Sequence, residues 1–316
     1  MAEYRVGLDI GNSGFKMAGR IGNDFRLQNI KALATFDATD SPYGVKLDGD
    51  TREIYFGVGD PLVAQDKTKR PYLKQILLLA ITSMYGEVTD CEKVKVGIGL
   101  PLTDYKEEHK RKKYQDELSK IRQLSGYVNG KYYVYNTEIR VFAEGFSAFY
   151  SLMPTLSKSY RWLIVDNGYR TTDVVGVSFD SAKNKWFVDN NFGIEKGLLE
   201  MYTNIAETYS YQVGQKKYNP EDVEYYMREN IILMTDNPDI PEANLNDYSY
   251  GAVAPIEFIY NQIGLKFNDI DARKILLLGG GAELVNKHLN RANKQYEPDF
   301  NKRLYSNAIG FYLQLR

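Results

Sequence analysis

The strongest constraint on this chain is a pattern that occurs twice. LDIGNSGFKM (8–17) and VDNGYRTTDVV (165–175) follow one plan: an apolar strand, an Asp-x-Gly, a polar turn and a second apolar strand. Glycine and asparagine between two apolar runs read as a tight turn, so each copy predicts a β-hairpin. The copies stand about half the chain apart. Two halves that each open on the same hairpin predict a duplicated α/β domain with a cleft between the halves.

The remaining elements fit that plan. After the Phe15–Arg20 strand, strand-like pieces continue through 25–60. Pro71–Tyr85 has helical apolar spacing, and Gly86 stands just past its end, the position that most often closes a helix. Lys93–Leu100 predicts a buried strand, Lys106–Leu124 an amphipathic helix with its apolar stripe at Tyr114, Leu118, Ile121 and Leu124, Tyr132–Val141 a strand, and Ala143–Leu152 a helix ended before Pro154. In the second half, strands are expected at Trp162–Val165, Asp173–Phe179 and Trp186–Asn190. Helices are expected at Leu198–Tyr211, Pro220–Met234 and Ala254–Leu265, with Asp236–Tyr248 as a connection. A strand at Lys274–Leu278, a helix after Ala282 and a last helix from Tyr305 complete the order.

Asp-x-Gly in a hairpin suits phosphate and metal chemistry. Gly11 and Gly14 allow a tight turn whose N–H groups can point at phosphate oxygens. Asn12 and Ser13 can add side-chain donors, and Lys16 a point charge. Asp9 repels phosphate unless Mg²⁺ stands between them, most simply through water. A plain Asp/Gly/Asn hairpin turn is the alternative reading of one copy alone. The second copy repeats Asp166 and Gly168 and offers the hydroxyls of Thr171 and Thr172, whereas Asp173 at the strand start can simply satisfy turn backbone groups. Leu276–Leu278 runs into Gly279, Gly280 and Gly281, without the lysine of a phosphate-binding loop or the spacing of a dinucleotide fingerprint. The triple glycine is either a surface for a flat nucleoside or a tight strand–helix corner. Glu144 is either a helix-capping carboxylate or the group that orients or deprotonates an attacking water.

In this order the motifs resemble the actin-like ATPases, and within them the ParM-like plasmid-segregation actins of bacteria. LDIGNSGFK resembles the first phosphate loop of that family, and WLIVDNGYRTTDVVGV the second. VFAEGFSAFY is similar to the first connecting helix, ILLLGGGAELV to the adenosine motif, and SNAIGFYLQL (306–315) to the second connecting helix. VGIGLPL (96–102) and YFGVGD (55–60) are similar to segments of the same relatives.

The resemblance implies a duplicated actin-like (ribonuclease H-like) fold. Residues 1–160 would form one lobe, with 305–316 packing back on it, and 161–304 the other, with a nucleotide cleft between mixed sheets flanked by helices. It implies binding and hydrolysis of ATP, or GTP, coupled to filament assembly. Asp9 and Asp166 would organise Mg²⁺, and Glu144 would assist hydrolysis. Gly11, Asn12, Ser13, Gly14, Lys16 and the turn from Gly168 through Thr171 and Thr172 would hold phosphates. Gly279, Gly280 and Gly281 would back the nucleoside, bordered by Glu195 and Lys196 of GIEKG (193–197). The partners implied are copies of this chain and a DNA-binding adaptor of ParR type at a centromere-like site. Two departures stand in the second loop. Asn167 replaces the usual aliphatic residue, and Tyr169 and Arg170 replace small ones; Arg170 either contacts phosphate or faces solvent.

Composition narrows the competing functions. The formal net charge is −1, which gives no whole-chain attraction to nucleic acid or membrane. One cysteine, Cys91, and two separated histidines, His109 and His288, leave no internal disulfide and argue against a zinc site. No signal peptide is evident at the start, and a reducing, cytoplasmic setting is expected. A small-molecule kinase of the same superfamily needs a further acid near an acceptor pocket, and no such motif is evident. A scaffold without hydrolysis conflicts with Glu144. KEEHKRKK (106–113) reads as a solvated helix face or as a lateral filament contact.

Overall fold

The computed structural model describes residues 4–37, 41–62, 64, 66–86, 93–213, 218–233, 243–297 and 299–316. Cys91 and residues 236–242 of the expected connection lie outside them. The chain divides into two compact units, Met1–Leu156 with Asp299–Arg316, and Ser157–Pro298.

The first unit opens with β1 (Tyr4–Ile10), β2 (Gly14–Ile21) and β3 (Asp24–Lys31), which form an antiparallel meander. Short strands β4 (Leu33–Thr35), β5 (Gly44–Leu47), β6 (Ile54–Phe56) and β7 (Asp60–Pro61) follow. Helix α1 (Leu73–Tyr85) buries its unbroken apolar run Ile76–Ile81. Next come β8 (Val94–Leu100), α2 (Leu102–Lys106), α3 (Glu108–Ser119), β9 (Gln123–Val128), β10 (Lys131–Ala143) and α4 (Phe146–Leu152). The strands form one sheet in the order β3-β2-β1-β8-β10-β9-β5-β6-β4-β7. The long β10 serves two partners: its first part pairs antiparallel with β9, and its second part parallel with β8.

The second unit contains β11 (Trp162–Asn167), β12 (Thr172–Asp180), β13 (Lys185–Ile194), α5 (Leu198–Val213), α6 (Pro220–Arg228), β14 (Ile232–Leu233) and β15 (Ala243–Asn244). After a 3-10 stretch at Leu245–Ala252 come α7 (Val253–Lys266), β16 (Lys274–Leu278), α8 (Ala282–His288) and β17 (Lys294–Tyr296). Its main sheet runs β13-β12-β11-β16-β17. This is the order and sense of β3-β2-β1-β8-β10: an antiparallel meander followed by two parallel strands. The duplication expected from two short motifs therefore extends to five strands of each sheet.

Helix α9 (Phe300–Gln314) returns to the first unit. It lies directly on β1 and against α4, and two glycines make that approach possible. A side chain at Gly7 would collide with the Ala308 carbonyl, and one at Gly310 with the Ser147 carbonyl. The crossing is fixed by Gln314 Nε2, which donates to Ser147 Oγ at 2.7 Å. Each unit has its own apolar core, centred on Val6, Leu8, Leu77 and Val96 in the first and on Leu163, Ile205, Ile259 and Leu277 in the second.

Several expectations needed correction. The helix expected over Lys106–Leu124 is two helices followed by a strand. Tyr114 and Leu118 are buried on α3, but Leu124 belongs to β9, where buried and open residues alternate with the two-residue period of a strand. Ala143 ends β10 instead of opening a helix. The helix from Pro220 stops at Arg228, where Asn230 turns into a left-handed conformation and β14 begins. Within the expected Asp236–Tyr248 connection, Ala243–Asn244 is a strand and Leu245 opens the 3-10 stretch. The last helix starts at Phe300, five residues early, because the Asp299 side chain accepts from Asn301 and Lys302 N–H and caps it. Strand β17 was not anticipated; it is a three-residue edge with little apolar signal.

Candidate functional site

In the first unit the β1–β2 hairpin closes through Gly11 N–H, which donates to Gly14 O at 3.0 Å. Asn12 is half-buried and Ser13 exposed at its tip. Asp9 and Lys16 are cross-strand partners below the turn, and their side chains pair at 3.6 Å with only 8% and 13% of each exposed. The mutual attraction is on the order of a few kcal/mol before the cost of taking both charges out of water, and loss of either partner leaves a buried charge.

Arg70 is the residue that sequence reasoning missed. It is buried and just precedes α1. It donates to Leu62 O at 2.6 Å, Ile10 O at 3.0 Å and Asn12 Oδ1 at 2.9 Å. Burial lowers its guanidinium below the ordinary arginine range, partly offset by the neighbouring Glu144, Tyr114 and Asp9. Arg70 thus has Asn12, Asp9 and Glu144 around one cation.

Glu144 lies in the turn between β10 and α4 and is buried, so it does not cap a helix at the surface. Its N–H donates to Leu100 O at 2.8 Å. Its side chain lies over Gly99, where a Cβ would meet Glu144 Oε1 at 2.7 Å. The next residue, Gly145, donates its N–H to Asn307 Oδ1 at 2.9 Å, so α9 holds the turn that carries Glu144.

In the second unit Gly168 N–H donates to Thr171 O at 2.9 Å, the same closure as in the first hairpin. β11 and β12 extend further than expected, leaving only 168–171 as turn, with Asp166 opposite Asp173. Two segments, 195–199 and the glycine turn at 281, converge on this turn. Leu198 N–H and Leu199 N–H donate to Gly168 O and Tyr169 O, and Gly281 N–H donates to Asn167 O. Thr172 is buried and its hydroxyl donates to Lys196 O at 2.9 Å. Thr172 therefore ties the turn to the 195–197 segment, while Thr171 remains half-buried. Glu195 is exposed, and the Lys196 ammonium stands 4.8 Å from the centre of the Phe258 ring.

Gly279 has φ +80° and abuts Asp166 and Asn167, a place that only glycine fills without strain. Gly280 is exposed and Gly281 buried against Leu198. Asn167, the departure noted in the sequence, is fully buried and uses its Nδ2 on Val165 O at 3.3 Å. Tyr169 donates to Glu221 Oε1 at 2.7 Å. Within the basic run, Lys110 pairs with Asp104 and Glu107.

Among the described residues no group of three or more His, Cys, Asp or Glu could hold a metal ion. The donors fit Mg²⁺ only as a nucleotide-bound ion that takes most of its ligands from phosphate and water, the usual coordination of this metal. No helix among the described residues is long and apolar enough to cross a membrane.

Residues 7–146 match the family of actin-like proteins, N-terminal domain, and residues 164–291 match archaeal actin homologue MreB-like, C-terminal. Among solved structures the chain is similar to Ta0583, an archaeal actin homologue, at 17% identity and a TM-score of 0.78 over 98% of each chain. It is similar to a ParM from a 15-stranded filament of Clostridium botulinum at 16% identity and a TM-score of 0.77, over 100% of this chain and 99% of that one. The ADP complex of Ta0583 gives 16% identity and a TM-score of 0.74, over 98% of each chain. At these identities the likeness is one of fold. No curated protein matches the chain in sequence.

Proposed function

We propose that this chain, which belongs to the actin-like superfamily, is a ParM-like nucleoside triphosphatase that polymerises on Mg-ATP or Mg-GTP and segregates plasmid DNA. The observation that carries the reading is the repeated hairpin. Each unit presents an acidic residue two positions before a glycine whose N–H closes the same four-residue turn, Asp9 with Gly11 and Asp166 with Gly168. Two such turns supply backbone donors for phosphate and a carboxylate each for a hydrated cation.

In this reading Gly11–Gly14, Lys16 and the Gly168–Thr172 turn hold the phosphates. Asp9 and Asp166 orient the water shell of Mg²⁺, which when bound neutralises charge on the transferring phosphoryl group. Glu144 orients the attacking water and takes its proton. Gly279–Gly281, Glu195 and Lys196 border the nucleoside. Support for a nucleotide comes from the ADP complex of the archaeal homologue, and support for self-assembly from the ParM and Alp12 filament structures. The partners are further copies of this chain and a DNA-binding adaptor of ParR type, since a net charge of −1 offers nothing to DNA directly.

Light scattering and negative-stain microscopy with Mg-ATP, Mg-GTP and no nucleotide test the proposal. Filaments with at least one nucleotide and none without are expected. No polymer under any condition at high protein concentration would sink it.

A further inference from the structure

Among the described residues the Asn12 carboxamide is held at its oxygen. Its Oδ1 accepts from Ala64 N–H at 3.2 Å and from Arg70 Nη2 at 2.9 Å. Two donors converging on one atom require that atom to be the oxygen, so the NH₂ end is the one left to face other groups. Arg70 cannot turn away, because its two Nη atoms also hold Leu62 O and Ile10 O. Among the described residues its Nε is buried without a partner, a condition that costs stability unless a bound species or water offsets it.

We propose that Arg70 is a positioning residue: it fixes the first turn and the polarity of the Asn12 carboxamide, so that Asn12 Nδ2 is presented as a donor to the anionic oxygens of a nucleoside triphosphate. Arg70 itself does not touch the ligand. The arginine reaches Ile10 O at the end of β1, Leu62 O beside the short strands and Asn12 Oδ1 at the hairpin tip, so one guanidinium clamps three segments in register. A lysine keeps the charge but cannot make these three contacts at once. This rests on the nucleotide-binding reading above.

Calorimetric titration with Mg-ATP and Mg-GTP, alongside thermal unfolding, tests it. Asn12→Asp keeps the acceptor for Arg70 and Ala64 and replaces the NH₂ donor with an oxygen. It is expected to unfold at or above the wild-type temperature and to bind nucleotide at least about tenfold more weakly. Arg70→Lys is expected to weaken binding about tenfold in the wild type, but by less than about twofold in an Asn12→Ala background, because its effect passes through Asn12. Equal losses from Arg70→Lys in both backgrounds, or wild-type affinity in a folded Asn12→Asp, overturn the inference. If Arg70→Lys does not fold, Asn12→Asp decides alone. A folded wild type that binds neither nucleotide removes the functional reading and this inference with it; a binding wild type with unchanged variants removes only this inference.

Discussion

Asp9 and Lys16 face each other across the first hairpin at 3.6 Å, whereas at the corresponding position of the second hairpin Asp166 faces Asp173. The two turns are alike in backbone closure and differ in the pair below it. The first sets a carboxylate against an ammonium; the second sets two carboxylates side by side, each engaged in interactions of its own. The repeat is therefore one of geometry, with the chemistry divided between its copies.

Lys16→Met removes the ammonium paired with the buried Asp9 carboxylate and leaves Arg70 as the cation near it. A loss of about 3–5 kcal/mol is expected in urea unfolding, with nucleotide affinity falling as well. The double variant Asp9→Asn/Lys16→Met should recover part of the stability but none of the binding. Losses that simply add would show that the pair does not interact.

Glu144→Gln keeps the size of the side chain and removes the base. Phosphate release should slow by roughly 10²–10⁴-fold, while nucleotide-dependent assembly, followed by light scattering, persists. Unchanged hydrolysis would remove Glu144 from the role given to it.

Gly279→Ala places a methyl group against Asp166 and the Asn167 carbonyl at a φ of +80°. A cost of roughly 1–3 kcal/mol is expected from the backbone alone, together with weakened nucleotide binding as the Asp166 side chain is displaced. Gly280→Ala, which meets only a Leu198 methyl at 3.6 Å, should leave stability nearly intact. Equal unfolding temperatures for the two variants would contradict the geometry.

His288 provides a pH signature. Burial lowers its imidazole below the ordinary 6.5, and Lys287 and Lys294 add to the shift; among the described residues its Nε2 is buried without a partner. The folded chain therefore binds this proton less readily than the unfolded chain. Its contribution to stability is fully present above pH 6.5 and is lost as pH falls from there through the lowered value. His288→Gln should flatten the acid limb of unfolding temperature against pH; an unchanged limb would rule the group out.

The fold class was legible in the sequence because Asp-x-Gly, once repeated, admits few architectures, and the actin-like resemblance is borne out by the family matches and the similar structures. What misled was local. Leu118, Ile121 and Leu124 keep helical spacing, yet the chain leaves the helix after Ser119, and Leu124 is buried on β9 opposite Tyr135 of β10. Arg70 was invisible for a different reason. Two of its three partners lie 58 and 60 positions away, and nothing around Lys69-Arg70-Pro71 marks an arginine that will be buried. Periodicity reports a residue's neighbours on its own element; it carries no information about a side chain whose task is to clamp distant loops.

The return of α9 to β1 has a consequence for synthesis. The helix that covers Gly7 leaves the ribosome only after the whole second unit, so the first unit must wait with the β1 face uncovered while residues 157–298 are made. The second unit is continuous and can fold as it emerges, whereas the β1 face that α9 covers, and the Gly145 N–H that Asn307 will receive, stay open until α9 follows it. The first unit is thereby begun first and closed last.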